Sequence, residues 1–145
     1  MSIESDIVNK IVSIIDNDVP SINFVSFDKI KLATGDFAAH ELPAAQVWDN
    51  GMVVTHERGR VIKDWNLSLE LIMKSDITGM VNQKALFELR REIEQTLWAS
   101  PNLGIPGVVH MLYTGNISDL HLLEPFYIAR IDFTVRFYDT LTGSC

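Results

Sequence analysis

The stretch Pro125 to Asp139, PFYIARIDFTVRFYD, decides the fold. One alternate set, Tyr127, Ala129, Ile131, Phe133, Val135 and Phe137, is apolar throughout, while Phe126, Ile128, Arg130, Asp132, Thr134 and Arg136 turn polar toward the C-terminal end. Successive side chains of a strand point to opposite faces, so the pattern predicts a strand with one buried and one increasingly polar face. Burying each large apolar side chain is worth roughly 1.5–3 kcal/mol, which lets this one strand supply much of the stabilisation of a small domain. The rest of the chain must offer it surfaces to pack on.

The best partner is Val61 to Lys74, where Trp65, Leu67, Leu69, Leu71 and Met73 alternate with Asn66, Ser68, Glu70, Ile72 and Lys74, the pattern of a half-buried strand. Upstream, Ala44 to His56 is also strand-like. Asn50-Gly51 reads as a tight hairpin or as a bulge within a longer strand. The second turn signal, Glu57-Arg58-Gly59-Arg60, favours the bulge and places the turn at Arg58 and Gly59. The hairpin is then longer than a small core covers, so its tip projects. Near that tip lie His56, Glu57, Arg58, Arg60, Lys63 and Asp64, a composition that fits a solvated arm or one docked on another subunit.

Two helices complete the pattern. Ile3, Ile7, Ile11, Ile14 and Ile15 recur at helical spacing behind a possible cap at Ser2, and the segment should stop near Asn17 to Pro20. Ser75 to Gly79 offers caps for Met80 to Trp98, where Leu86, Leu89, Ile93 and Leu97 form one stripe, and Ser100, Pro101 and Gly104 mark its end. Ile22 to Leu32 reads as strand, Thr34 to Pro43 as a polar connection and Val108 to Gly115 as a short strand. Asn116 to Glu124 reads as a polar link, and Thr140 to Cys145 as a frayed tail. The fold class is α+β: a single domain over residues 1–145, with a mostly antiparallel sheet, a long projecting β-hairpin and two helices packed on one face.

Composition narrows the function. A chain of 145 residues, 47% hydrophobic with mean hydropathy +0.12, has enough apolar mass for a core without staples. Nineteen acidic against twelve basic residues give a charge of -7, which argues against a surface built to neutralise phosphates. The one cysteine, Cys145, permits no intrachain disulfide and suits a reducing cytoplasm. No stretch approaches the roughly 18 apolar residues of a membrane span, and no signal-peptide layout opens the chain.

Motifs of catalysis are missing. His40, His56, His110 and His121 are scattered, without metal-ligand spacing or cysteine partners, and no phosphate loop, nucleophile elbow or dinucleotide fingerprint occurs. Asp16 and Asp18 sit at a helix end, where such residues serve turns. Trp48, Trp65 and Trp98 read as core or interface residues rather than a ligand cage. No catalytic, cofactor or metal site is expected. Arg130, Asp132 and Arg136 share the polar face of the closing strand; they form either a cross-strand charge ladder on a solvated face or a surface that meets another subunit.

Taken together, the N-terminal amphipathic helix, the charged hairpin ending in WNLSLELIMK (Trp65 to Lys74), the helix ending in REIEQTLW (Arg91 to Trp98) and the closing DLHLLEPFYIARIDFTVRFYD (Asp119 to Asp139) resemble the tail terminator proteins of long-tailed bacteriophages. The resemblance covers most of the chain from Pro43 onward. It implies a virion protein, made in the host cytoplasm, that forms a homo-oligomeric, hexameric ring on the head-proximal end of the tail. Such a ring stops polymerisation of the tail tube protein and receives a head-side connector or neck protein, while DNA passes its lumen without specific binding. Interface residues are then expected among His56, Arg58, Arg60, Lys63, Asp64, Arg130, Asp132 and Arg136. An adjacent neck or tail-completion protein is the alternative, and a small ligand-binding domain or enzyme with a pocket beneath the long helix is a third reading.

Overall fold

The computed structural model describes residues 2–27, 42–74, 79–123 and 126–139. The elements are α1 (Ile3–Asp18), β1 (Phe24–Ser26), β2 (Ala44–Glu57), β3 (Arg60–Lys74), α2 (Gly79–Trp98), β4 (Val108–Leu123) and β5 (Phe126–Asp139). The strands form one five-stranded sheet in the order β1-β2-β3-β5-β4, with β1 parallel to β2 and every other pair antiparallel. This is the α+β class expected.

The closing strand is an interior strand. It pairs with β3 from Val61↔Asp139 to Lys74↔Phe126 and with β4 on its other side. Ala129, Ile131, Phe133, Val135 and Phe137 are buried, and opposite them on β3 so are Trp65, Leu67, Leu69 and Leu71. Both helices lie on this face. From α1 come Ile7, Ile11, Ile14 and Ile15, and from α2 come Leu86, Leu89, Ile93 and Leu97, all in one core cluster with the strand residues. The spacing of these residues puts each set on one helical stripe, which is why the helices settle here.

Local chemistry sets the boundaries. Ser2 caps α1, its Oγ accepting from the Ser5 backbone N–H at 3.1 Å, and Glu4 and Asp6 lie in the first turn, where the helix dipole favours negative charge. The β2–β3 hairpin turns at Arg58 and Gly59, whose positive φ values of 47° and 80° suit a two-residue turn matching the strand twist. The Asn50-Gly51 signal is a bulge: the register with β3 shifts between Asp49 and Met52, and Gly51 takes φ 104°. One Asp49 carboxylate oxygen, Oδ1, accepts from the Gly51 N–H at 2.8 Å and from Trp65 Nε1 at 2.9 Å, tying the bulge to the core.

Two expectations need correction. Asn116 to Leu123 is strand rather than link, since β4 continues to Leu123 and pairs with β5 as far as Leu123↔Phe126. Polar composition does not oppose this at a sheet edge, where polar and charged residues discourage further pairing, and register shifts after Tyr113 and Asp119 absorb the irregular pattern. Nor is β3 half-buried at its C-terminal end, because Ser68, Glu70 and Ile72, on the face away from the helices, are buried together with Ala44, Gln46 and Ile128. Buried polar groups there find partners: Gln46 Nε2 donates to Ser26 Oγ at 3.0 Å and Ser68 Oγ to Asp132 Oδ1 at 2.7 Å. The readings of the strand beyond Phe27, of the connection before Leu42, of Ser75 to Thr78, of Glu124 and of the Thr140 to Cys145 tail lie outside the described residues.

Candidate functional site

The eight residues singled out by sequence fall at the hairpin end of the sheet and along its helix-free face. His56, Arg58 and Arg60 are exposed around the hairpin turn. Arg60 lies over the Tyr138 ring, its guanidinium carbon 4.8 Å from the centroid, an arrangement that holds the cation against the end of β5. Because β1 pairs only with Ala44, Ala45 and Gln46, the outer edge of β2 from Met52 to Glu57 has no neighbouring strand among the described residues. An open edge of this kind presents backbone donors and acceptors to any extended chain that approaches it.

Lys63 sits on the helix side and is largely buried. Its Nζ donates to Glu4 Oε1 at 3.0 Å and to Asp139 Oδ2 at 2.8 Å, so one ammonium ties the start of α1 and the end of β5 to the hairpin stem. The hydrogen bond to Asp139 raises its pKa above the ordinary value, against an opposing effect of burial and with further help from Glu4. Sequence alone put this lysine with the tip residues. Its place within the hairpin strand, two residues before Trp65 on the same face, was the available signal that it points inward.

On the opposite face, Arg136 grips Asp64 with two parallel bonds, Nε to Oδ1 at 2.7 Å and a terminal guanidinium nitrogen to Oδ2 at 3.0 Å. That hydrogen bonding holds the Asp64 carboxyl below its ordinary range and moves Arg136 further up. Farther along, Arg130 Nε lies 3.2 Å from Asp132 Oδ1, and Thr134 Oγ1 donates to Asn66 Oδ1 at 2.7 Å. By register the closing strand's polar face sets Asp64 opposite Arg136, Asn66 opposite Thr134, Ser68 opposite Asp132 and Glu70 opposite Arg130, and the side chains of the first three pairs are hydrogen-bonded to each other.

Sequence reasoning missed the apolar members of the same face. Val53, Leu112 and Tyr138 are 58%, 56% and 38% exposed, and by register they flank the Asp64–Arg136 pair on β2, β4 and β5. The clue was Val53-Val54: two adjacent apolar residues on a strand must point to opposite faces, and beyond the reach of the core both are exposed.

Other candidates resolve as structure. Trp65 is buried against Phe27 and Phe137, and Trp98 packs on Tyr113 and Phe133 while donating to the Met111 carbonyl at 2.9 Å. His56 is exposed at the tip, His110 lies half-buried across from Arg136, and His40 and the His121 side chain lie outside the described residues. Among the described residues no group of three or more His, Cys, Asp or Glu side chains is placed to hold a metal ion, and no helix is long and apolar enough to cross a membrane. The described residues also line open grooves. One of about 490 Å³ runs beside the start of α1, floored by Val8, Phe27 and Trp65. Another, about 300 Å³, lies under α2 between Ser21, Pro43, Met73, Leu89, Glu88 and Glu92.

No known family model matches this sequence, and no curated protein does. Solved structures do share the fold. One is a chain described as "Virion of native gene transfer agent (GTA) particle", similar with a TM-score of 0.53 over 89% of this chain and 84% of that one, at 9% sequence identity. At that identity the likeness is one of fold.

Proposed function

We propose that this chain is a structural protein of a virion, one subunit of a ring that caps a tail tube, ends its polymerisation and offers a docking surface to the head-side connector. The observation that carries the reading is the hairpin end of the sheet, where the β2 edge from Met52 to Glu57, uncovered among the described residues, adjoins the exposed Val53, Leu112 and Tyr138. A strand edge and apolar side chains left together in water favour association with another protein surface. The likeness in fold to a virion chain and the resemblance of Trp65 to Lys74, Arg91 to Trp98 and Asp119 to Asp139 to tail terminators support the same reading.

In a closed ring each subunit uses two different surfaces, related by the rotation that closes it. On this reading the ring is hexameric and sits at the head-proximal end of the tail, next to the tube protein on one side and the connector on the other. A net charge of -7 suits a lumen that lets DNA pass without gripping its phosphates. The role requires neither catalysis nor a cofactor. Imaging of the particle with this subunit labelled, together with sedimentation of the purified chain, tests the proposal. A ring at the head-proximal end of the tail is expected. A label at the neighbouring neck would reassign the chain to that position, and a strict monomer absent from purified virions would end the structural reading.

A further inference from the structure

The hairpin has basic residues at its tip, and its base lies beside a groove whose acidic residues come from α2. At its tip, Arg58 and Arg60 flank Gly59, all three exposed, and Arg58 makes no ion pair among the described residues. At its base, Pro43, next to the start of β2, and Met73, near the end of β3, form part of the floor of the groove under α2. A strand advances about 3.3 Å per residue, so tip and base are separated by on the order of 40 Å and do not meet within one copy.

The groove is an apolar slot with an acidic rim. Pro43, Met73, Ala85 and Leu89 supply the apolar lining, and Glu88 and Glu92 project from the same side of α2 one turn apart. Like charges at this spacing repel, and a cation seated between them removes the repulsion. Lys84 and Arg91 lie at helical spacing from Glu88, yet neither glutamate carboxylate forms an ion pair shorter than 4.0 Å among the described residues. The exposed arginine at the tip has the complementary charge and a long aliphatic stem that suits the apolar lining.

We propose that this groove receives the Arg58-Gly59-Arg60 turn of a second copy, with the Arg58 guanidinium between Glu88 and Glu92. The contact is head-to-tail: the donor surface and the acceptor surface lie at opposite ends of one hairpin, which is the heterologous geometry that a closing ring requires. It deepens the ring reading and rests on it. The slot of about 300 Å³ accepts a side chain and its turn, not a domain, so the basic turn is a key and the open β2 edge remains available to other neighbours.

A charge swap tests the contact. Arg58→Glu alone, and Glu88→Arg with Glu92→Arg, should each weaken self-association by about tenfold or more, the effect of close charge pairs across an interface. Combining Arg58→Glu with Glu88→Arg and Glu92→Arg in one chain should bring assembly back toward the parent, which no loss of folding imitates. Sedimentation velocity on the purified chains reads association, and circular dichroism reads folding. A second arm places cysteines at Glu57 and Ala85 with Cys145→Ser, where oxidation should give a ladder of disulfide-linked multimers. If the parent chain assembles but the swap does not restore assembly and the cysteines do not cross-link, the groove contact is wrong and the ring stands. If the parent chain is monomeric alone and absent from virions, ring and contact both fall.

Discussion

Lys63 Nζ lies 2.8 Å from Asp139 Oδ2, joining the hairpin stem to the final residue of the closing strand, and the same nitrogen reaches Glu4 at the start of α1 at 3.0 Å. Three elements distant in sequence therefore share one cation whose side chain is only 11% exposed. Lys63→Met keeps an aliphatic side chain at the position paired with Phe137 but leaves two carboxylates without their shared cation. The expected loss is about 1.5–3 kcal/mol, the range for hydrogen bonds to charged groups. Urea denaturation of the variant checks it, and an unchanged midpoint would mean that the lysine only decorates the surface.

The ion pairs give stability a two-sided pH dependence. The carboxyl of Asp64 is depressed below its ordinary 3.8 by Arg136, so its contribution is fully present above that value and is lost as pH falls through the lower folded pKa. Lys63 is raised above 10.5 by Asp139 and Glu4, so its contribution is fully present below 10.5 and is lost as pH rises through the higher folded pKa. Denaturation midpoints measured across pH should fall at both extremes. Asp64→Asn should flatten the acid side and Lys63→Met the alkaline side; limbs that stay as steep as in the parent would show the pairs to be misassigned.

Phe133 is buried among Trp98, Leu67 and the rest of the helix-side core. Phe133→Ala should cost about 3–5 kcal/mol through lost transfer energy and the cavity left behind. Its neighbour Thr134 faces the other way, half-buried and bonded to Asn66, and Thr134→Ala should cost about 1 kcal/mol. Similar losses at the two positions, measured by denaturant unfolding, would contradict the assignment of faces.

Much of this architecture is legible from residue spacing, because one strong physical preference acted at each place. Alternation from Ala129 to Phe137 could be satisfied only by a strand over an apolar layer, and Arg58-Gly59 supplied the positive-φ turn that a tight hairpin needs. The β4 extension was hidden because its pairing is set by β5 rather than by any periodicity of its own. Buried Ser68 and Glu70 were hidden for a related reason: polar residues read as solvated unless their partners are known, and Asp132, the partner of Ser68, lies 64 residues away. The candidate interface was legible in its charges and not in its hydrophobes, since Val53, Leu112 and Tyr138 come from three strands that only the sheet order brings onto one surface.

Asp49 is exposed, yet its Oδ1 serves both the bulge N–H of Gly51 and the indole of Trp65. Asp49→Ala removes the acceptor from a buried tryptophan, and the cost should be about 1–3 kcal/mol. Asp49→Asn retains a side-chain oxygen and should recover most of it. Trp65 fluorescence alongside chemical denaturation reads both effects, and equal losses in the two variants would show that the charge matters rather than the acceptor.

Arg58→Glu with Arg60→Glu separates folding from assembly. Both residues lie at the exposed turn, beyond the last β3–β5 pair at Val61↔Asp139, so no core contact is lost; the Arg60 stacking on Tyr138 is at the surface and worth about 0.5–1 kcal/mol. The variant should therefore unfold within about 1 kcal/mol of the parent, in line with other surface substitutions. Reversing two cations at the tip should nonetheless weaken ring formation or docking, because like charge at a contact opposes association directly. Circular dichroism melting and the size of the assembled species make the comparison, and a variant that assembles like the parent would remove the hairpin tip from the interface.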